Sequence, residues 1–462
     1  MAKLPRSTKL GYGAAELGVL AVETMARLHV LKFYTDVLGL RPELAGTAAA
    51  IAIFWDAIAD LVIGLLSDRT RSRMGRRRPF LIGGGVALAG ASVLLFHPPA
   101  AVSELGKTAF LLVSFIALNT AVSLLSVPHT ALASELTFDR DERTELFGYR
   151  LFLGNLGLLA GATLPAVALS FAERGELTRE AAYGYASYGV AVAVLVTAAT
   201  SFAATRGRDR SPPDVGAMGP ALLLRSFADV LRDRTFRPLL LAYVVAQVGL
   251  ALNGTFALYY YEYRLRLSAT QVAEVLGVFV TAWSLSIPVW VLASRRFGKR
   301  WLAFGGITAL GVATAVIYGV APPERMEMPM LIALVGGALA GSIVLLEAIV
   351  ADVVDVDELR RRRKREGLYF GVWKMAAKMS RGLAVAGSGT LLGLIGFVPN
   401  VQQSPEVAAR LAWVFGPGVG GFLIVGALIF LCMPLTDARH RRVVRVLERR
   451  RARAERRLRS AP

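Results

Sequence analysis

Apolar residues run along this chain in blocks of about 20, each closed by a short polar or charged turn, from one end to the other. A helix rising 1.5 Å per residue needs about that many residues to cross a bilayer core of roughly 30 Å. Twelve blocks can be marked, at 11–38, 44–67, 80–98, 107–135, 147–171, 182–204, 238–263, 269–293, 300–320, 328–351, 367–397 and 411–434. The short alternating strands of a membrane β-barrel are not seen. The predicted fold class is an all-α membrane protein with twelve transmembrane helices.

The only long polar break before the tail, residues 205–237, splits the blocks into two sets of six. The basic turn after the second block, SDRTRSRMGRRRPF, has a shorter echo after the eighth, ASRRFGKRW. A six-helix unit repeated with a basic turn at the same place is the organisation of major facilitator transporters, whose halves rock about a midplane site. The expected divisions are a first six-helix half (1–204), a cytoplasmic middle loop (205–237), a second half (238–434) and a basic cytoplasmic tail (435–462) that lies on the membrane surface as a helix or stays disordered.

Composition agrees with a membrane solvent. Apolar residues make up 55% and charged residues 19% of the 462, against about 25% charged in soluble domains. The net charge of +19 would suggest nucleic acid in a soluble protein, but its placement gives another explanation. About 38 of the 53 Lys and Arg fall before the first block, after even-numbered blocks or in the tail, and about 7 fall after odd-numbered ones. The positive-inside rule then puts both termini in the cytoplasm of a cell (inner) membrane protein. MAKLPRSTKLGYG is not followed by a short apolar core and a small-residue cleavage site, so no cleaved leader is expected. A single cysteine, Cys432, allows no intramolecular disulfide.

Charges inside the apolar blocks carry the candidate chemistry. IFWDAIADLVIG (53–64) places Asp56 and Asp60 near the middle of an otherwise uncharged run from Leu44 to Ser67. A carboxylate there costs about 2.5–3.5 kcal/mol on insertion scales. Four residues apart, the two share one helix face and repel each other unless a cation or a proton neutralises them. That is the requirement of a coupling site for Na⁺ or H⁺; the alternative is a structural ion pair to another helix. Arg150 and the run Lys374, Lys378, Arg381 on one face of the eleventh block are candidate counter-charges. Glu23 and Arg27 in the first block, at i and i+4, can pair locally. In the fourth, Pro128 frees a carbonyl and puts Ser126, His129 and Thr130 at the bend. Gln247 and Asn253 of the seventh block can reach a central cavity, and Tyr259 to Tyr263 read as an interfacial aromatic belt.

Two motifs are discarded. GPGVGG (416–421) matches a dinucleotide fingerprint, but no strand precedes it, and its small residues suit close helix packing. DVVDVDELRRRRKRE (352–366) lacks calcium-loop spacing and reads as a gate or topology element.

The chain resembles the glycoside–pentoside–hexuronide:cation symporters, the melibiose-carrier-like branch of the major facilitator superfamily. The resemblance rests on KLGYG (9–13), FYTDVLGL (33–40), FWDAIADLVIGLLSDRTRSRMGRRRPF (54–80), REGLYFGVWKMAAKMS (365–380) and GLIGFVPNVQQS (393–404), in order over both halves. It implies that Asp56 and Asp60 bind Na⁺ or H⁺ with Lys378 beside them, and that Arg150 belongs to the sugar site. It departs at Leu20, Ser126 and Thr130, where the melibiose carriers have two sugar-gripping aspartates and an aromatic. Sodium-coupled lysophospholipid carriers, similar to this family, lack the same set.

The expected function is cation-coupled symport of a small organic solute such as a sugar or glycoside, with no enzymatic step and no cofactor beyond Na⁺ as a coupling ion. Asp56, Asp60, Ser126 and Lys378 are expected to hold the cation, and Arg150, Thr130, His129, Glu23 and Lys374 the solute. The expected partners are the lipid bilayer, the solute and Na⁺ or H⁺, without nucleic acid, for a monomeric chain. A lysolipid or amphiphile carrier, a drug:H⁺ antiporter and a non-transporting receptor or scaffold are the rivals.

Overall fold

The computed structural model describes residues 4–99, 103–137, 140–207, 227–323, 325–361 and 365–459. Most of the expected middle loop therefore lies outside the described residues. Among those described there is no strand. Twelve long helices follow the hydropathy blocks: α1 (Arg6–Lys32, continued by a wider turn over Phe33–Val37), α2 (Pro42–Arg69), α3 (Arg78–Leu95), α4 (Glu104–Leu136), α5 (Arg140–Glu173), α6 (Arg179–Ala204), α7 (Phe236–Arg264), α8 (Ala269–Phe297), α9 (Lys299–Val320), α10 (Glu327–Arg361), α11 (Glu366–Leu394) and α12 (Pro405–Leu431). A thirteenth, α13 (Asp437–Arg459), is the tail, helical as one of its two expected forms.

Local chemistry sets the boundaries. Pro42 and Pro405 open α2 and α12, where a missing N–H is harmless. Ser103, Thr178, Ser268 and Ser404 cap α4, α6, α8 and α12 with side-chain oxygens. Ten of the twelve helices are apolar enough to cross a membrane by composition, while α1 and α11, which each carry several charges, are not among them. Both sit inside the bundle. α1 packs on α5 and α6 and touches α7, whereas α11 packs between α2 and α7. Burying those two helices lets Glu16 of α1 meet Arg150 of α5, and Lys378 of α11 meet Asp56 and Asp60 of α2, instead of lipid.

Small residues permit the closest crossings. A Cβ on Gly157 or Gly161 of α5 would run into the Leu17 or Ala21 carbonyl of α1. A Cβ on Gly420 would meet the Gly311 carbonyl, so GPGVGG serves the α9–α12 crossing. Gly157→Val should therefore force α1 off α5 and destabilise the bundle by about 1–3 kcal/mol or more. A thermal melt of the purified variant checks this, and an unchanged midpoint would refute the packing.

At the end of the bundle that bears the termini, the basic turns are ion-paired. Arg76 and Arg77 both reach Glu135 at the end of α4, at 2.8 Å each, and Arg77 also reaches Asp68 at 3.0 Å. After α8 the echo is Lys299 on Asp352 of α10, at 2.6 Å. Asp357 at the end of α10 takes both Arg365 nitrogens at 2.9 Å, which pins that end to the start of α11. The α13 helix docks here through His440 on Asp355 at 3.0 Å and through buried Val443 and Leu447.

At the far end, α1–α6 and α7–α12 are laced together. Lys32 bridges Asp36 at 3.0 Å and Glu262 of α7 at 2.5 Å. Tyr263 donates to Asp36 at 2.6 Å, and the Thr35 and Tyr259 hydroxyls meet at 2.7 Å. Asn400, with φ of 60°, turns its amide onto the Asp36 carbonyl, a backbone region asparagine tolerates better than most residues. Of the tyrosines expected as an interfacial belt, Tyr259 and Tyr263 are thus part of this seal, while Tyr260 and Tyr261 bond to Tyr318 of α9. Tyr259, Tyr260 and Tyr261 are buried, because α1 and α12 cover the end of α7 where the hydropathy pattern alone places headgroups.

Candidate functional site

The interior charges, with Leu20 among them, fall on stripes of α1 (Glu16, Leu20, Glu23, Arg27), α2 (Asp56, Asp60), α5 (Arg150) and α11 (Lys378, Arg381), and α4 turns Ser123 to those of α2. Within each helix these residues are three or four positions apart, which is what keeps them on one face.

Asp56 and Asp60 share one cation. Lys378 Nζ lies 2.8 Å from Asp56 Oδ2 and 2.5 Å from Asp60 Oδ2. The Ser123 hydroxyl faces the other oxygens, at 3.1 Å from Asp56 Oδ1 and 2.5 Å from Asp60 Oδ1. Arg381 Nη2 approaches Asp56 Oδ2 at 3.5 Å. Asp56 is 2% exposed, whereas the Asp60 side chain is 33% exposed. The group therefore has one sealed carboxylate and one that water reaches. Four oxygens and a hydroxyl at this spacing form an oxygen-rich set of the kind a hard cation takes, and Lys378 fills its centre.

Ser123 was not singled out from sequence. Ser126 was, and it contributes only its carbonyl, which accepts from the Thr130 hydroxyl at 2.8 Å. Three residues turn a helix by 300°, so the rotation of α4 decides which serine faces α2. Thr130 is engaged within its own helix in the same way.

Arg150 is not a counter-charge to the α2 carboxylates. Its Nε and Nη2 grip Glu16 at 2.7 and 2.9 Å, a bidentate pair between α5 and α1. His129 Nδ1 stands 3.7 Å from the same Glu16, while its Nε2 bonds the Tyr12 carbonyl at 2.7 Å and its ring stacks on Tyr12. His129 is fully buried, which removes it from contact with a solute in this conformation. Leu20, one turn beyond Glu16, packs over Gly154 of α5.

Glu23 and Arg27 do not pair with each other. Neither makes a hydrogen bond or ion pair among the described residues; both line a cavity with Arg381, Asn119 and Thr255, walled by Ile53, Phe115 and Val122. Arg27 is exposed although it lies deep within α1, so open space remains around it. Lys374, a turn from Lys378 towards the termini end, is exposed and lies within electrostatic reach of Glu347 on α10. Gln247 is bonded to Tyr243 at 2.7 Å, and Asn253 faces a separate cavity between α7, α8 and α9. Neither enters the central group, because α7 presents Ala251 and Thr255 there instead.

Residues 11–437 match the MFS/sugar transport protein family. YagG of Escherichia coli, named as a candidate glycoside/cation symporter, is 28% identical over 98% of this chain and 97% of its own. The isoprimeverose transporter of Lactiplantibacillus pentosus is 24% identical, over 92% of this chain and 88% of its own. A solved structure from work on proton-dependent oligopeptide transporters superposes with a TM-score of 0.70 at 14% identity, covering 95% of this chain and 99% of that one; it speaks for the fold alone.

Proposed function

The chain belongs to the MFS/sugar transport protein family and is a secondary transporter of the membrane, and on that premise we propose that it couples inward movement of Na⁺ or H⁺ to uptake of a small organic solute such as a glycoside. The observation that supports this most is the group of Asp56, Asp60, Ser123 and Lys378 in the bundle interior. Two carboxylates in low dielectric need one positive partner, and Lys378 supplies it in this conformation. A coupling cation, or a proton on Asp60, replaces that partner and releases Lys378. Since Lys378 is on α11 and the carboxylates are on α2, the exchange breaks a tie between the two six-helix sets. Cation occupancy thereby changes how freely the sets move, which is the link a symporter requires.

The halves proposed to move are 1–204 and 238–434. The hydrogen bonds and ion pairs joining them cluster at the far end and at the midplane. With the basic loops and both termini placed in the cytoplasm by the positive-inside rule, this conformation is closed to the outside.

The test is uptake into proteoliposomes of the purified chain with imposed Na⁺ or pH gradients, using a panel of radiolabelled glycosides and a lysolipid. Accumulation above equilibrium that collapses when the gradient is removed is the expected result. Equal internal and external concentrations under every gradient would refute symport.

A further inference from the structure

We infer that Arg27 and Arg381 form an anion subsite in the central cavity, so that the transported solute carries a carboxylate, sulfonate or phosphate. This rests on the symport proposed above and places its solute in the cavity that Glu23, Arg27 and Arg381 line. Arg27 comes from α1 and Arg381 from α11, and both line the same space. Arg27 has no hydrogen bond or ion pair among the described residues and is exposed within the bundle. Among the described residues Arg381 has its one hydrogen-bond partner in Asp56, at 3.5 Å, on an oxygen already taken by Lys378 at 2.8 Å. Its Nε is buried without a partner. Two guanidiniums facing one cavity with unused donors match an oxyanion, which accepts several N–H bonds at once.

The charge inventory points the same way. The central cations are Arg27, Lys378 and Arg381, and the central carboxylates are Glu23, Asp56 and Asp60. Three meet three, and Glu16 with Arg150 balances separately. Loading one Na⁺ or proton leaves the group with one excess positive charge in a poorly screened interior. A monoanion between Arg27 and Arg381 restores neutrality. Cation and anion therefore favour each other's binding, and by linkage the effect is reciprocal. Ile53, Phe115, Leu118 and Val122 complete the wall with apolar surface for the body of the solute.

The experiment is thermal stabilisation of the full-length chain in detergent, with and without Na⁺ and across pH, by methyl glucuronide, a 6-deoxy-6-sulfo glucoside and lysophosphatidylglycerol, each compared with uncharged methyl glucoside. The three anions distinguish a carboxylate, a sulfonate and a lipid phosphate as the source of the charge. At least one anion should bind about 10-fold or more tighter than the neutral glycoside, as one charge-assisted hydrogen bond more would give. Na⁺ or acid should strengthen it. Arg27→Gln should abolish the preference, and Arg27→Lys should restore part of it; Arg27 has no ion pair to lose, so folding is not at issue. An absence of anion preference throughout the panel, or a preference unchanged in Arg27→Gln, overturns the subsite. Anion binding without gradient-driven accumulation in proteoliposomes would leave the subsite standing and overturn symport. Accumulation of the neutral glycoside alone would do the reverse.

Discussion

Asp60→Asn is expected to abolish gradient-driven accumulation while leaving a folded protein. The amide keeps the shape of the carboxylate: its one oxygen can still accept from Lys378, and its NH2 can donate to the Ser123 hydroxyl oxygen, where the two carboxylate oxygens now accept at 2.5 Å each. It removes the charge that a coupling ion or proton must meet. Cation affinity should fall by at least about 100-fold, equivalent to roughly 2.7 kcal/mol. Lys378→Ala attacks the same group from the other side and should behave differently. It leaves Asp56, 3% exposed at its side chain, beside Asp60 with the neutral Ser123 hydroxyl and, as cation, Arg381 at 3.5 Å. Removing one partner of a buried pair costs about 3–5 kcal/mol, and the water that reaches Asp60 should reduce this to about 2–3 kcal/mol. The double variant Asp60→Asn/Lys378→Ala should recover most of that loss, because one carboxylate fewer remains to be neutralised. Uptake assays and thermal melts together decide the matter. Intact coupling in Asp60→Asn, or additive destabilisation in the double variant, would remove the α2–α11 group from the mechanism.

Lys32→Ala should open the far end. Lys32 is 7% exposed at its side chain and is the only residue named in the seal that contacts carboxylates of both α1 and α7. Without it, Asp36 keeps Tyr263 and Thr35, and Glu262 keeps Arg179 at 3.4 Å. The fold is therefore retained, but two carboxylates repel across the α1–α7 junction. A loss of about 2 kcal/mol shifts a two-state equilibrium by roughly 30-fold. The readout is labelling of a Thr255→Cys thiol, in a Cys432→Ser background, by an impermeant maleimide added from outside. Thr255 is buried and lines the central cavity, so labelling should be slow in the parent and about 10-fold faster with Lys32→Ala. Lys32→Arg should restore the slow rate. Equal labelling rates in all three would show that the seal does not control access.

Hydropathy located all twelve helices because a bilayer imposes one length on each span, whatever its neighbours are. It did so even for α1 and α11, whose charges are diluted among apolar residues. Asp56 and Asp60 stood out for a local reason, as two charges on one face of a single helix in an otherwise uncharged run. Lys378 was recognisable as a cation in the middle of a span, and the structure brings it to them. Glu16 was the opposite case. It is visible as one of the charges of the first block, but nothing near it in sequence marks its partner, since Arg150 is 134 residues away on another helix. Glu23 and Arg27 showed the limit of spacing rules. An i, i+4 register permits a pair, yet both side chains turn to the cavity beside Arg381.

What the sequence determined by itself was the set of elements and the presence of charges that need partners. Both follow from short-range constraints, namely span length, helix periodicity and the cost of a charge in hydrocarbon. Which charges meet was decided only in three dimensions. The rotation of α4 chose Ser123 over Ser126, the crossing of α1 and α5 gave Arg150 to Glu16, and the packing of α2 against α11 put one ammonium between two carboxylates. These pairings depend on helix rotation and crossing angle, which are set by close contacts between distant parts of the chain, such as Gly157 on Leu17, and no local pattern encodes them.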